Sequence, residues 1–252
     1  MPIFILSIII QIALVVHIVK TGRNTTWIWI VVLLPLAGSI AYLIVEILPE
    51  LLSTRTGRQA RRALEQKLNP SKDIKAAARQ FNLSDSVENA LKLANELYQQ
   101  QAYIEAKELY EKSLVGIHAH DPDIMYGLAK TEFALTNFTA TKKILDELIQ
   151  FNPDFKNPDA HLLYARTLDA LEDYIGATEE YEALHKYFAG PEADYYYALA
   201  QQKQGNILKA RELLKSIIDK AELQGGHYKS LHKDYLKKAK SDLRKLETTH
   251  TL

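Results

Sequence analysis

Residues 158–190 read PDAHLLYARTLDALEDYIGATEEYEALHKYFAG, and this stretch decides the fold. Its apolar and small side chains return along the chain at a nearly constant spacing. Tyr174 has counterparts at Tyr103, Phe138 and Ile207, with separations of 35, 36 and 33 residues. Periods of this length are typical of repeat proteins in which each unit is a pair of helices. The pattern therefore predicts a stack of four helical hairpins.

Small side chains recur in the same register. An alanine stands nine residues before each of these four positions, and another small residue stands three residues after it: Ala94, Ala129, Ala165 and Ala198, then Ala106, Thr141, Ala177 and Ala210. Small residues let two helix backbones approach closely, so these positions predict where the helices of each hairpin cross. Pro122, Pro158 and Pro191 are predicted to open three first helices, because the first helical position does not need its N–H.

The spacing and the small residues together resemble the tetratricopeptide repeat family over about 135 residues. The resemblance implies an all-α solenoid in which the first helix of each hairpin lines a concave surface. The predicted repeats are residues 87–121, 122–157, 158–190 and 191–222. Residues 223–252 are predicted to form a capping helix, from His227 to Glu247, and a basic tail, since an uncapped last repeat exposes an apolar face.

The resemblance also implies a groove for a partner, because positions two, five, nine and twelve of each repeat point into the concave surface. The candidate partner-binding residues are Asn95, Tyr98, Tyr126, Lys130, Phe133, Arg166, Asp169 and Tyr195. Such a row suits an extended peptide, since amides and cations bind carbonyl or carboxylate oxygens and aromatic rings hold side chains. The alternative is that Lys130 and Arg166 only neutralise neighbouring aspartates, namely Asp123, Asp159 and Asp169.

The first 50 residues are almost wholly apolar and form two segments. Residues 2–19 and 27–48 hold few polar side chains, and a short polar stretch separates them. As helices at about 1.5 Å per residue they measure roughly 27 and 33 Å, close to the ~30 Å thickness of the hydrocarbon layer. The pattern predicts a two-span transmembrane helical hairpin over residues 1–50. More basic residues follow the second span than separate the two, which favours a cytoplasmic C-terminal domain.

The second apolar segment carries an ordered set of residues: Trp29, Pro35-Leu36, Gly38 and Tyr42-Leu43. This order resembles the two-helix N-terminal anchor of cardiolipin synthases and other phospholipase-D-type membrane proteins, over about residues 1–48. The resemblance implies an anchor, because in that family this piece is not the catalytic part. It also suggests an alternative function, that of an accessory factor of phospholipid metabolism acting through the hairpin and the basic segment after it.

Charge is distributed unevenly, although the chain has 31 basic and 31 acidic residues. Residues 53–80 hold eight Lys or Arg and two Asp or Glu, residues 81–196 hold nine and twenty-one, and residues 197–252 hold twelve and six. Residues 51–86 are therefore predicted to form a basic helical neck beside the membrane. The arginines of this neck are explained by a role in setting the membrane topology alone. Next to a membrane, however, each arginine also contributes ~1 kcal/mol of attraction to anionic lipid. The candidate lipid contacts are Arg55, Arg58, Arg61 and Arg62.

Residue patterns indicate no catalytic chemistry. The chain has no cysteine, which excludes disulfides and thiolate catalysis. His227, Lys229 and Asp234 match the spacing of the phospholipase D motif, but a single copy on a helix, without the motif's small-residue continuation, is a chance match. No nucleotide-binding loop or zinc motif is present, so we predict no cofactor and no enzymatic activity. Zero net charge argues against a nucleic-acid binder.

Together these patterns predict a scaffold or adaptor in a bacterial-type inner membrane. Its cytoplasmic solenoid is expected to bind a protein or peptide partner of unknown identity through the concave groove. Its two spans are expected to make it an integral membrane protein, with anionic lipid as a further contact of the basic neck.

Overall fold

The computed structural model describes residues 2–54 and 72–248, and the side chains of these residues except 2–7, 35 and 51–53. The chain divides into two compact units, Met1–Asp73 and Ile74–Leu252. All regular structure in the described residues is helical. The prediction of an all-α fold is therefore confirmed.

The N-terminal unit consists of one 20-residue helix and several short helices around a small core. Its helices are α1 (Pro2–Thr21), α2 (Thr26–Leu33), α3 (Pro35–Tyr42) and α4 (Leu48–Ser53), with a π-helical turn at Leu43–Ile47. Helix α2 ends before Pro35 because Leu34 leaves helical geometry, at φ −123° and ψ 76°. Helix α1 packs against α2 and α3 around four buried side chains, those of Leu14, Ile18, Val31 and Tyr42.

Polar side chains in this unit are paired with one another. The hydroxyl of Tyr42 lies 3.0 Å from Nδ1 of His17. Glu46 accepts a hydrogen bond of 3.0 Å from Nε1 of Trp27 and forms an ion pair with Arg23. Burying an unpaired polar group costs free energy, so these pairs allow polar residues to sit within an apolar hairpin.

Apolar side chains cover much of the outside of the N-terminal unit. Large exposed ones include Ile8, Ile9, Ile12, Val19, Trp29, Leu33, Leu34, Leu36 and Ile44. In the part of the chain that the structure describes, no single helix combines the length and the apolar character that a membrane span needs. The two transmembrane spans therefore stay a prediction.

Helix α5 (Lys72–Leu83) begins at the boundary between the units, and the second unit then contains four helical hairpins within the described residues. The hairpins are α6 (Val87–Gln99) with α7 (Tyr103–Ser113), α8 (Pro122–Ala134) with α9 (Phe138–Phe151), α10 (Pro158–Ala170) with α11 (Tyr174–Tyr187), and α12 (Glu192–Lys203) with α13 (Ile207–Leu231). Each hairpin packs against the next, and α14 (Lys233–Thr248) packs against α13. This arrangement is an α-solenoid, as predicted.

The recurring small residues lie where the helices cross. The first set is buried at Ala94, Ala129, Ala165 and Ala198, and the second set at Ala106, Thr141, Ala177 and Ala210. Large side chains such as Tyr110, Leu145, Tyr181 and Leu214 fill the space around these contacts and are almost fully buried. The close approach of backbones over small residues therefore stabilises every hairpin in the same way.

The turn inside each hairpin has the same backbone conformation. One residue in each turn has positive φ: Gln101 at 63°, Thr136 at 63°, Glu172 at 64° and Gly205 at 83°. Only the last of these is glycine, the residue that adopts this conformation without strain. The sequence pattern does not predict this, because three unrelated side chains occupy the strained position.

The last hairpin ends differently from the prediction. Helix α13 runs from Ile207 to Leu231 and is kinked at Gly225, where φ is 82°. The capping helix therefore begins at Lys233 rather than at His227, since the chain turns at His232. Helix α14 buries Leu236, Ala239 and Leu246. These residues cover the apolar face of the last repeat, which is the role expected of a cap.

Candidate peptide-binding groove

The first helices of the hairpins, α6, α8, α10 and α12, lie side by side, and each contacts the next. Their shared surface carries aromatic and cationic side chains from all four repeats. We call this surface the first-helix groove and define it by Tyr98, Tyr126, Lys130, Phe133, Arg166 and Tyr196.

Lys130 lies between two tyrosines of neighbouring repeats. Its Nζ is 4.6 Å from the ring centroid of Tyr126, one turn before it on α8, and 5.4 Å from that of Tyr98 on α6. An ammonium within about 6 Å of an aromatic ring is attracted to the face of the ring. The two rings therefore hold this flexible side chain in one place.

Arg166 occupies the equivalent position one repeat further along. Its guanidinium carbon is 4.6 Å from the ring centroid of Phe133 on α8 and 4.1 Å from that of Tyr196 on α12. A planar guanidinium that stacks on rings keeps its N–H groups available at its edge. Both cations of the predicted row are thus held by rings from adjacent repeats.

Aspartates do not neutralise these two cations directly. Among the described residues, neither Lys130 nor Arg166 forms an ion pair or a hydrogen bond with a carboxylate. Asp159 is close enough to act through space, since its charge raises the pKa of both Lys130 and Tyr126. The groove therefore presents two cations whose donors are not used by a carboxylate of the described chain.

Burial and charge oppose each other in this groove. Burial lowers the pKa of Lys130 and raises the pKa of Tyr98 and of Tyr126. The charge of Arg166 acts in the opposite sense on both tyrosines and lowers their pKa. Partial burial also strengthens any ionic contact that a ligand makes with the two cations, because the local dielectric is lower than that of water.

Each of the two units matches a different known protein family. The tetratricopeptide repeat family matches residues 97–166, which include most of the first-helix groove. Over these residues the solenoid is similar to tetratricopeptide repeats. Within its N-terminal unit, residues 9–46 match the phospholipase D-nuclease N-terminal family. Both family resemblances noted in the sequence are confirmed.

Solved tetratricopeptide-type structures share the fold of the solenoid. MamA is 22% identical, with a TM-score of 0.51 over 60% of this chain and 88% of MamA. The MamA RS-1 ArsTM double mutant is 13% identical, with a TM-score of 0.54 over 67% and 96%. TTC0263 from Thermus thermophilus is 15% identical, with a TM-score of 0.51 over 65% and 88%. No curated protein matches the sequence.

Two other predicted groove residues of this repeat protein contact their neighbours. Asn95 is exposed, and its Oδ1 accepts a hydrogen bond of 2.7 Å from the hydroxyl of Tyr110. Asp169 lies 3.7 Å from Nζ of Lys203, and its Oδ1 is buried without a hydrogen-bond partner among the described residues. Asn95 thus remains accessible to a ligand, whereas Asp169 is turned toward the end of α12.

Tyr195 is a correction to the predicted site. It is only 7% exposed, and its hydroxyl donates a 2.9 Å hydrogen bond to Asp242 of α14. Its ring packs against Tyr235, also on α14, at 5.6 Å. The cap therefore covers this position, and the adjacent Tyr196 reaches Arg166 instead. The run of three tyrosines at 195–197 was a signal for an aromatic patch but not for which ring faces outward.

The remaining candidates lie apart from the groove. The lipid-contact arginines Arg55, Arg58, Arg61 and Arg62 lie outside the described residues. His227 and Asp234 of the chance motif lie on different helices, and Lys229 pairs with Glu222. No cluster of three potential metal ligands occurs within the described part of the chain.

Sequence reasoning missed an apolar cleft between α9, α10 and α11. It has a volume of about 620 Å³, and its walls include Leu148, Phe155 and Tyr187. His161 stands on one wall, with Nδ1 2.5 Å from the hydroxyl of Tyr187 and Nε2 paired with Glu180. No spacing in the sequence identifies this cleft, because its residues come from two repeats and the connecting loop.

Proposed function

We propose that this protein is a membrane-associated scaffold whose first-helix groove binds an extended, acidic segment of a partner protein. One observation carries the proposal: Lys130 and Arg166 are held by rings of adjacent repeats, and neither has a carboxylate partner in the described chain. The tetratricopeptide fold is a scaffold, and we propose that the protein has no enzymatic activity.

The chemistry of the groove favours carboxylates at a regular spacing. The two cations stand on successive first helices, so side chains of one extended peptide can reach both. Bidentate binding of a carboxylate by a guanidinium adds orientation as well as energy. The exposed amide of Asn95 supplies a further polar contact for the peptide backbone. Tyr98 and Phe133 offer apolar surface to the intervening side chains.

A peptide library displayed against the full chain in detergent tests this proposal. We expect the selected peptides to be enriched in Asp and Glu. In fluorescence anisotropy, Lys130→Glu/Arg166→Glu should weaken their binding by at least about tenfold, because attraction becomes repulsion. Cross-linking in native cells with the same variants then identifies the partner.

The matched control reverses two charges on second helices. Lys143 and Lys215 are both exposed and lie on α9 and α13. The variant Lys143→Glu/Lys215→Glu should bind the selected peptides like the wild type. The groove proposal is wrong if both double variants bind the peptides equally well. It is also wrong if the selected peptides lack acidic residues.

Association with a bilayer is the second part of the proposal. The many large apolar side chains exposed on the N-terminal unit are typical of a membrane or protein contact. The match to a phospholipase D-nuclease N-terminal segment supports the membrane. We propose two spans in a bacterial-type inner membrane, with the solenoid in the cytoplasm. Because the chain lacks cysteine, single cysteines at Asn24 and Ser84 report sidedness. In intact cells a membrane-impermeant maleimide should label the first and not the second.

The match at residues 9–46 also supports a second candidate, an accessory role in phospholipid metabolism through the hairpin. Exchanging residues 1–54 for an unrelated two-span hairpin separates the two candidates. If the exchanged protein restores growth or lipid composition in a deletion strain, the solenoid carries the function. If only the native hairpin does so, the accessory role is favoured.

A further inference from the structure

The C-terminal end of the solenoid carries a second groove, between α13 and α14. It has a volume of about 740 Å³. Its floor is apolar and includes Ile218, Ala221 and Leu236. Its rim is almost entirely basic. We call it the basic groove and define its rim by Lys229, Lys233, Lys237, Lys240 and Arg244.

The rim cations follow one face of α14. Lys233, Lys237, Lys240 and Arg244 are spaced by four, three and four residues, and all four are exposed. Residues at these spacings are neighbours on a helix, and like charges at such positions repel. Solubility of the cap alone does not require four neighbouring like charges.

Acidic residues compensate this charge only in part, since the charges of Lys229 and Lys240 both act on Glu222. Glu222 is the acidic residue among those lining the groove, and it pairs with Lys229 at 2.5 Å. Asp242 of α14 is engaged by Tyr195 and by Lys245. Among the described residues, none of the four cations on α14 forms an ion pair. The basic groove therefore carries net positive charge over an apolar floor.

We infer that the basic groove docks on the headgroups of anionic phospholipids, so that the solenoid lies against the bilayer at its C-terminal end. The inference rests on the proposed membrane association, which keeps the solenoid near a bilayer at high effective concentration. Long lysine and arginine side chains reach phosphates while their stems cover apolar surface. Each such cation increases partitioning to an anionic surface by about fivefold.

An environment-sensitive label in the groove tests this inference. Ser241 lines the groove, and Ser241→Cys supplies a unique labelling site because the chain has no cysteine. The labelled full chain is reconstituted in phosphatidylcholine vesicles with or without phosphatidylglycerol, each containing a quencher on the headgroups. We expect strong quenching only with phosphatidylglycerol, and we expect about 0.5 M salt to remove it by screening.

Charge reversal supplies the specific control. Lys237→Glu/Lys240→Glu should reduce quenching severalfold, whereas Lys143→Glu/Lys186→Glu, at exposed positions on α9 and α11, should leave it unchanged. Lys237→Gln/Lys240→Gln should fall between, and circular dichroism of each variant verifies that it is folded. Quenching that is equal in neutral and anionic vesicles, or that survives charge reversal, overturns the inference. A response to soluble poly-glutamate but not to anionic vesicles also overturns it and assigns the groove to an acidic protein.

The experiment distinguishes this inference from the proposed membrane association. Flotation of the full chain with neutral vesicles in high salt reports the N-terminal unit alone, because screening removes the contribution of the basic groove. Failure to float contradicts the membrane association. Flotation without quenching on phosphatidylglycerol contradicts only the docking of the groove.

Discussion

The two units of the molecule use apolar side chains in opposite ways. In the N-terminal unit, Leu33 and Leu36 are 71% and 67% exposed, whereas Leu184 and Leu214 in the solenoid are fully buried. Both units are helical, so the difference lies in where the polar residues fall. A 34-residue period places apolar residues on the inner faces of helices, while a continuous apolar run leaves no polar face to turn outward. Hydrophobicity alone therefore does not identify a core.

Truncating leucines in each unit tests this contrast most strongly. Leu214→Ala should lower the free energy of unfolding of the solenoid by about 2–5 kcal/mol, because it removes buried apolar area and leaves a cavity. Leu33→Ala should change the stability of its own unit by less than about 0.5 kcal/mol, since the side chain is exposed. Leu33→Ala should, however, weaken partitioning of the protein into vesicles.

Intrinsic reporters separate the two units in this experiment. Both tryptophans, Trp27 and Trp29, lie in the N-terminal unit, and 13 of the 14 tyrosines lie in the solenoid. Urea unfolding followed by tryptophan fluorescence and by near-ultraviolet tyrosine dichroism therefore reports each unit. Comparable losses of stability in both variants would mean that the two units do not differ in the way described.

The repeat period predicted most of the solenoid, including the buried alanines, whereas the groove positions of Lys130 and Arg166 were expected from the resemblance to tetratricopeptide repeats. Periodicity succeeds there because every repeat buries the same positions. It fails at the end of the array, where a cap replaces the next repeat and covers Tyr195. It also fails for features made from two elements at once, such as the basic groove, since no local spacing records that α13 and α14 meet.

A buried carboxylate gives a second, smaller test of the solenoid interior. Glu132 is only 3% exposed and pairs with Nζ of Lys107 at 2.7 Å. Lys107→Met should destabilise the solenoid by about 1–3 kcal/mol, because the buried carboxylate loses its cation. Lys143→Met removes one partner of the exposed Lys143–Glu147 pair, at 3.8 Å, and should cost less than about 0.5 kcal/mol. Urea midpoints that fall equally in both variants would show that burial does not matter here.

The strained turns offer a test in the opposite direction. Thr136 is β-branched and has φ 63°. The equivalent residue in the last hairpin is Gly205, with φ 83°. A β-carbon added at Gly205 would have open space around it, with no contact within 4 Å. Thr136→Gly should stabilise the solenoid by about 1 kcal/mol, since the left-handed conformation costs a branched residue about that much. Gly205→Thr should destabilise it by a similar amount. Thermal unfolding measures both, and a loss of stability in Thr136→Gly would show that the turn is not strained.

Alkaline pH gives a further test, and it should act through the buried tyrosines of the solenoid. Burial raises the pKa of Tyr110, Tyr195 and Tyr197 from 10 to about 12. Below pH 10 these hydroxyls keep their protons in both states, so their full contribution to stability is present. As the pH rises from 10 toward 12, the unfolded chain releases protons that the folded chain retains, and stability falls.

Tyr197→Phe sharpens this prediction. The variant loses the 3.2 Å hydrogen bond to Glu182 and should be less stable than the wild type at neutral pH. Above pH 10 its stability should fall less steeply, because one fewer proton is released on unfolding. Urea unfolding on either side of pH 10, followed by far-ultraviolet dichroism, measures both slopes. If the stability of wild type and variant falls with pH at the same slope, Tyr197 ionises equally in the folded and unfolded states. We do not expect this result, because the ring of Tyr197 is stacked on Tyr181 and buried.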